Sequence, residues 1–423
     1  REFLQTYFKV EPVEMVEGGR YHNLKDLGDL PNPRPGSLTY EGWPPLPHPG
    51  FDNHRSVFQS IAEGEKLLHL PYHSYNYILR FFNEAAIDPQ VKEIYVTLYR
   101  VAAESHIVNA LISAARNGKK VVVFVELKAR FDEANNLKWS KKMKAAGIKI
   151  INSIPGLKVH AKVALIRRKE GKEWQYYSLL ATGNLNESTG RFYGDHVFFT
   201  NNPAMAGELE KLFVYLQARI QPLLYGKIPF HHLLVSQFNM IKRFQKLIDR
   251  EIKHAKAGKP ARIIIKVNNL QDRKMIEKLY EASRAGVKVE LLVRSICCLA
   301  PGVEGQSENI QVSRLVDRYL EHARVFVFEN NGHPEYFLGS ADWMSRNLHH
   351  RIEVVFPVYD TALCAEIRHI LGLQLSDNSK SVLFTHRLEN KRVAVKPNEA
   401  PLAAQSATYK CISGNKFPVL SQK

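Results

Sequence analysis

The sequence predicts an α/β protein of two tandem, similar domains, each a largely parallel mixed sheet flanked by helices. Three observations predict it. The chain has 423 residues, and single cores usually stop growing at about 250 to 300. Strand and helix patterns alternate along it, which calls for crossover connections and parallel strands. The same order of elements then occurs a second time.

Residues 1–46 are rich in proline and glycine, as in Leu30-Pro31-Asn32-Pro33-Arg34-Pro35-Gly36 and Trp43-Pro44-Pro45-Leu46-Pro47, and read as an extended connector. Glu93 to Leu98 reads as a buried strand, Ser105 to Asn117 as an amphipathic helix ended by Gly118, and Lys120 to Leu127 as the next strand. In the second half, Arg262 to Val267, a helix through Ala285 ended by Gly286, and Val287 to Val293 repeat that script 168 residues later. His160 then falls on His322 at an offset of 162, Thr182-Gly183-Asn184-Leu185-Asn186 on Leu338-Gly339-Ser340-Ala341-Asp342 at 156, and Asp195 on Glu353 at 158. The duplication divides the chain into 47–227 and 228–410, with a tail at 411–423.

The formal net charge is +17, with 45% hydrophobic and 24% charged residues. That balance favours a polyanionic partner without choosing among nucleic acid, anionic lipid and a phosphate polymer. No apolar run approaches the roughly 18 to 20 residues of a membrane-crossing helix. Cys297, Cys298, Cys364 and Cys411 lack the spacing of a zinc site or a disulfide framework, so a reducing, cytoplasmic setting is expected. The cationic surface is also compatible with peripheral attachment to an inner membrane. The chain opens at Arg1 with no visible signal peptide, as a piece of a longer protein would. The basic run Lys138 to Lys144 has helical spacing and reads as a solvated face, and Asn117-Gly118-Lys119-Lys120 reads as a helix-ending turn rather than a P-loop.

The chemistry concentrates in two segments, Val159-His160-Ala161-Lys162-Val163 and Glu321-His322-Ala323-Arg324-Val325. Alternate residues of a strand share a face, so His160 with Lys162, and His322 with Arg324, can address one charged group. Each half adds a Gly-Asn/Ser-x-Asn/Asp turn and an acidic strand residue, Asp195 or Glu353. Such a set suits phosphoryl transfer through a phosphohistidine, with a carboxylate orienting each imidazole and cations on the phosphoryl oxygens.

The pattern resembles the His-x-Lys motifs of the phospholipase D superfamily, which implies two phospholipase D-like domains with one active site between them. An Asp expected soon after Lys162 is absent, Arg167 and Arg168 following instead, and Arg324 replaces the second lysine. A phosphodiesterase or phosphatidyl transferase of that superfamily remains the alternative. Tyr95 to Ala102, Glu126 to Glu133, Val159 to Lys162, Thr182 to Asn186 and Val293 to Leu299 together resemble bacterial polyphosphate kinases built on the same fold.

That resemblance implies reversible transfer of the terminal phosphate of ATP to inorganic polyphosphate, with Mg2+. The partners are then ATP, ADP and polyphosphate rather than nucleic acid, and the family's homo-oligomeric habit is carried over. By motif, His160 is the phosphorylated residue and His322 its acid/base partner and a nucleotide contact, with Lys162 and Arg324 beside them. Tyr193 and Arg294 match further nucleotide contacts, and Arg100 and Arg130 match the magnesium and phosphate site. A guanidinium cannot ligate a cation, so these two arginines are expected to hold oxygens of magnesium-bound phosphates. Asn268 and Cys298 stand in their places in the second half. The resemblance also implies N-terminal regions, including an adenine contact, of which residues 1–46 look like the end.

Overall fold

The computed structural model describes the chain apart from residues 13–14, 16–18, 21–22, 24–25, 28–29, 35, 52–54, 127–132, 153, 155, 394, 396–397, 415–416 and 418–423. It divides into two compact units, 1–43 and 44–423. The first contains a short helix, Glu2–Phe8, on which the rings of Phe3 and Tyr7 stack.

The second unit holds two large sheets. Strands β1 (Lys66–Leu70), β2 (Val91–Leu98), β3 (Lys120–Val125) and β4 (Lys149–Ile151) come first, followed by the two-residue β5 (Lys158–Val159). Then come β6 (Val163–Glu170), β7 (Glu173–Ala181) and β8 (Tyr193–Thr200). The first sheet runs β1-β8-β7-β6-β2-β3-β4. The second half supplies β9 (Leu234–Val235), β10 (Arg262–Val267), β11 (Lys288–Val293), β12 (Ile310–Leu315), β13 (Leu320–Glu321) and β14 (Arg324–Phe328). After these follow β15 (Glu335–Gly339), β16 (Arg351–Ile352), β17 (Val354–Val358), β18 (Ser381–Phe384) and β19 (Asn390–Arg392). The second sheet runs β19-β18-β12-β11-β10-β14-β15-β17-β9.

The helices His106–Arg116 and Arg273–Arg284 lie at equivalent places in the two halves. Ser105 and Asp272 cap them, each accepting a backbone N–H of the first turn. Gly118 and Gly286, at φ +78° and +88°, turn the chain into the next strand. The basic run lies on the helix Glu133–Ala145, burying Trp139 and Met143 and exposing its lysines.

The sheets are mixed and flanked by helices as expected, but not largely parallel. Along the path of each sheet only β2-β3-β4 and β10-β11-β12 are parallel and the other neighbours are antiparallel, while the two-residue β13, which joins β8 off that path, also pairs in parallel. The crossover helices that dictate parallel pairing occupy only those stretches, whereas short turns return the chain at β6-β7 and β14-β15.

Period-two burial on the strands sorts the interior into three cores. Ile94 and Val96 face an outer core with the helices of the first half, and Ile263 and Ile265 face its counterpart in the second. Tyr95, Phe198, Val325 and Phe356, from both halves, share a central core with the helices Pro203–Ala218 and Thr361–Leu375. There Phe198 and Phe356 stack with centroids 5.6 Å apart and planes 11° apart. The halves therefore share an interior, which brings the ends of their strands to one place.

Candidate active site

Each histidine sits where its segment changes sheets. β5 pairs in parallel with β16 of the other half, Val159 opposite Ile352, before β6 joins the first sheet. In the gap, the N–H groups of His160 and Ala161 both donate to the Ile352 carbonyl, at 2.8 and 3.0 Å. In mirror fashion β13 pairs with β8, Glu321 opposite Gly194, and the N–H groups of His322 and Ala323 donate to the Gly194 carbonyl at 3.1 and 2.8 Å. The continuous strands read from the sequence are therefore broken at the histidines, because the backbone leaves one partner for another. Each imidazole is carried by its own half and seated by the other.

The carboxylates complete the exchange. Nδ1 of His160 lies 2.8 Å from Oε2 of Glu353, which also accepts from Ser340 Oγ at 2.5 Å, while Asn347 Nδ2 donates to Oε1 at 2.6 Å. Burial pushes the His160 imidazole down to about 3, against the pull of Glu353. Burial alone would raise the Glu353 carboxyl, but His160, Lys162 and Arg351 beside it hold it down at about 2. The pair is thus a neutral imidazole and a carboxylate. A carboxylate only accepts, so the proton sits on Nδ1 and the lone pair on Nε2. Among the described residues Nε2 has no hydrogen-bond partner.

His322 is built alike with one difference. Its Nδ1 faces both oxygens of Asp195 at 3.0 and 2.8 Å, and Thr182 Oγ1 donates to Asp195 Oδ1 at 2.6 Å. Burial lowers the His322 pKa, so it too is neutral. Its ring, however, lies against Arg324, whose Nη1 is 3.3 Å from Nδ1 and 3.2 Å from Nε2 and donates to the His322 carbonyl at 2.8 Å. Arg324 is buried and braced by Asp342, with Nε 3.2 Å from Oδ1 and Nη2 3.3 Å from Oδ2.

The hydrogen bonds also fix the register of the repeat. Thr182 and Ser340 do the same work: each backbone N–H donates across to the next strand, to His196 O or Val354 O, at 3.0 Å, and each hydroxyl reaches the catalytic-side carboxylate. Thr182 therefore corresponds to Ser340, at the offset of 158 that relates Asp195 to Glu353, and not to Leu338. The glycine shared by the two turns pulled the sequence alignment two residues out of step. Gly183 has its own reason to be glycine, since a Cβ there would stand 2.0 Å from Asp195 Oδ2.

The other sequence-selected residues gather here, with one exception. Lys162 is buried, donates to the carbonyl of His160 and lies in the fields of Glu353, Arg324, Arg351 and Asp195. Tyr193 packs its ring 5.0 Å from that of His322. Arg294 donates through Nε to Asn268 Oδ1 at 2.8 Å, and Asn268 Nδ2 donates to the His322 carbonyl at 3.0 Å. Arg100 follows β2, where its carbonyl accepts from Asn186 Nδ2 at 3.4 Å. Arg130 lies outside the described residues. Sequence reading missed Arg351, whose Nη1 is 3.8 Å from Glu353 Oε1, and the supporting Asn347, and it named the turns that carry Thr182 and Ser340 without the work of their hydroxyls. The sole available signal for Arg351 was its place two residues before Glu353, where the first half has Tyr193 before Asp195.

Twin mixed sheets with a shared interior, each lending a histidine to a carboxylate of the other, define a two-lobed protein of the phospholipase D fold. Phosphatidylserine synthase of Haemophilus influenzae Rd KW20 shares that fold with a TM-score of 0.53 at 12% identity, over 85% of this chain and 97% of that one. The chain belongs to the polyphosphate kinase family. Residues 56–222 match the family's C-terminal domain 1 and residues 233–405 its C-terminal domain 2. Polyphosphate kinase of Vibrio cholerae is 42% identical over 409 residues, and that of Escherichia coli K12 41% over 406, each alignment covering 96% of this chain. The chain spans 58% of the length of both. The crystal structure of polyphosphate kinase from Porphyromonas gingivalis has a TM-score of 0.86 at 44% identity, over 98% of this chain and 62% of that one.

Proposed function

We propose that this chain carries the phosphoryl-transfer centre of a polyphosphate kinase and works through a phosphohistidine at His160. The observation that carries the choice of His160 is that its Nε2 has no hydrogen-bond partner among the described residues, whereas Arg324 Nη1 lies against the His322 ring, 3.3 Å from Nδ1 and 3.2 Å from Nε2. In the first step Nε2 of His160 forms a bond to the γ-phosphorus of ATP as the bond to the β–γ bridging oxygen breaks, releasing ADP. Glu353 keeps the Nδ1 proton in place and stabilises the positive charge that grows on the ring. In the second step a terminal oxygen of polyphosphate attacks that phosphorus and the P–N bond breaks, returning a neutral imidazole. Lys162, Arg324 and Arg351 offset charge on the phosphoryl oxygens, with Arg294, Tyr193 and Arg100 disposed toward the rest of the nucleotide. His322 stands as the acid/base and nucleotide-contact residue, oriented by Asp195.

The described residues offer magnesium no full set of side-chain ligands. Among the described residues no group of three or more His, Cys, Asp or Glu side chains could hold a metal, and Asp195 and Glu353 are both engaged. A magnesium ion would have to travel with the phosphates of the nucleotide. No described helix is long and apolar enough to cross a membrane. Homo-oligomerisation and attachment to a membrane surface remain carried by the family resemblance and the charge.

The test is incubation with terminally labelled ATP, with and without His160→Ala. Acid-labile, alkali-stable label that disappears in the variant supports the kinase. Hydrolysis of a phosphodiester without ATP, and without label on the chain, would favour the phosphodiesterase alternative instead.

A further inference from the structure

We propose that Tyr99 is a positioning residue for phosphoryl transfer, its ring holding the His160 imidazole and the Lys162 ammonium in one arrangement so that both address the same phosphoryl group. The inference rests on the reading of His160 as phosphoryl acceptor. The Tyr99 ring meets the His160 ring nearly perpendicularly, with centroids 4.7 Å apart and planes at 80°. The ammonium of Lys162 stands 5.1 Å from the centre of the same ring. One side chain thus touches both groups that the sequence pairs two residues apart.

The imidazole needs such a wall. Glu353 fixes Nδ1 but leaves the ring free to swing about that hydrogen bond, and an edge-to-face aromatic contact removes the swing. The Lys162 ammonium needs it for another reason. Burial drives it toward the uncharged amine, which could not offset phosphoryl charge, whereas an aromatic face favours a cation within about 6 Å. Tyr99 is itself held from behind, since Asn136, a fully buried side chain, donates to its carbonyl at 2.9 Å and also to that of Glu126. These contacts pin the ends of β2 and β3 together. The ring is half-buried, so replacing it leaves most of the core intact.

Tyr99→Phe keeps the face and Tyr99→Leu keeps bulk without it. In the Leu variant, labelling of the chain by ATP should slow by about 10-fold or more, with the KM for ATP changed by less than about 3-fold. Its alkaline limb should move to lower pH, because Lys162 loses a partner of its charged form. The Phe variant should stay within about 3-fold of the parent on every measure. An independent readout needs no ATP: in histidine-labelled protein, the slowly exchanging Nδ1–H resonance of His160 should persist in Phe and vanish in Leu. Equal behaviour of Leu and Phe, in rate and in that resonance, would overturn the proposal, as would a Phe variant as impaired as Leu. If the parent takes no label at all, the kinase reading falls, and the resonance comparison still decides whether Tyr99 holds His160.

Discussion

Oε2 of Glu353 accepts the Nδ1 proton of His160 across 193 residues of sequence, at 2.8 Å. An imidazole so far from its carboxylate in the chain, yet fully paired with it, is oriented by tertiary structure alone. Glu353→Gln keeps the shape and removes the charge. We expect phosphohistidine formation to fall by roughly 10² to 10⁴ with little change in KM, as when a triad carboxylate is neutralised. Rapid-quench labelling with ATP measures it.

Gly183→Ala should act on the other histidine. The new methyl would occupy the position of the Asp195 carboxylate, so Asp195 must move and His322 loses its acceptor. We expect overall polymer synthesis to fall by about 10-fold or more, while the Nδ1–H resonance of His160 is unchanged. Equal loss of both histidine resonances would contradict the separation of the two pairs.

Acid should destabilise the fold through buried histidines that the proposed chemistry does not use. Burial lowers the imidazoles of His48 to about 4 and His73 to about 2, so both are neutral when folded. The unfolded chain takes up those protons first, below about pH 6.5. Their contribution is complete above that pH and is lost as pH falls, toward 4 for His48 and toward 2 for His73. Between pH 7 and 5 the loss should be on the order of 1 to 2 kcal/mol for each. Urea midpoints across that range measure it, and His73→Asn should flatten the slope.

Phe356→Ala removes one ring of the stack that joins the two sheets. We expect a loss of about 3 to 5 kcal/mol. Because the central core belongs to both halves, unfolding should remain one transition, with near-UV and far-UV signals coincident. Two separated transitions would show that the halves unfold independently.

Affinity for long inorganic polyphosphate should fall steeply with added salt, since a net charge of +17 meets a polymer of about one negative charge per phosphate. Equilibrium binding at low and high ionic strength measures the slope. A flat response would remove charge as the basis of polymer binding.

Much of this was legible in the sequence where the signals are local. The crossover units around Glu93 to Leu127 and Arg262 to Val293 follow from apolar periodicity and a glycine after each helix, and the observed elements lie within a few residues. His160, His322, Lys162 and Arg324 were visible because they recur. What the sequence concealed was long-range. The exchange that sets Asp195 on His322 and Glu353 on His160 depends on two-residue strands, too short for any periodicity to announce. The register of the two turns was obscured by glycine, the residue that turns share most readily. Arg351 carries no local mark, since an arginine is ordinary on a surface and its meaning comes from the carboxylate and lysine it faces.

The crossed strands β5–β16 and β13–β8 have a corollary for any division of the chain. Either half cut free would hold a histidine without its acceptor, so neither could rebuild a seated imidazole except against a second copy. Within one polypeptide the two seats need not match, and they do not: arginine stands for lysine, and aspartate for glutamate, on the His322 side alone.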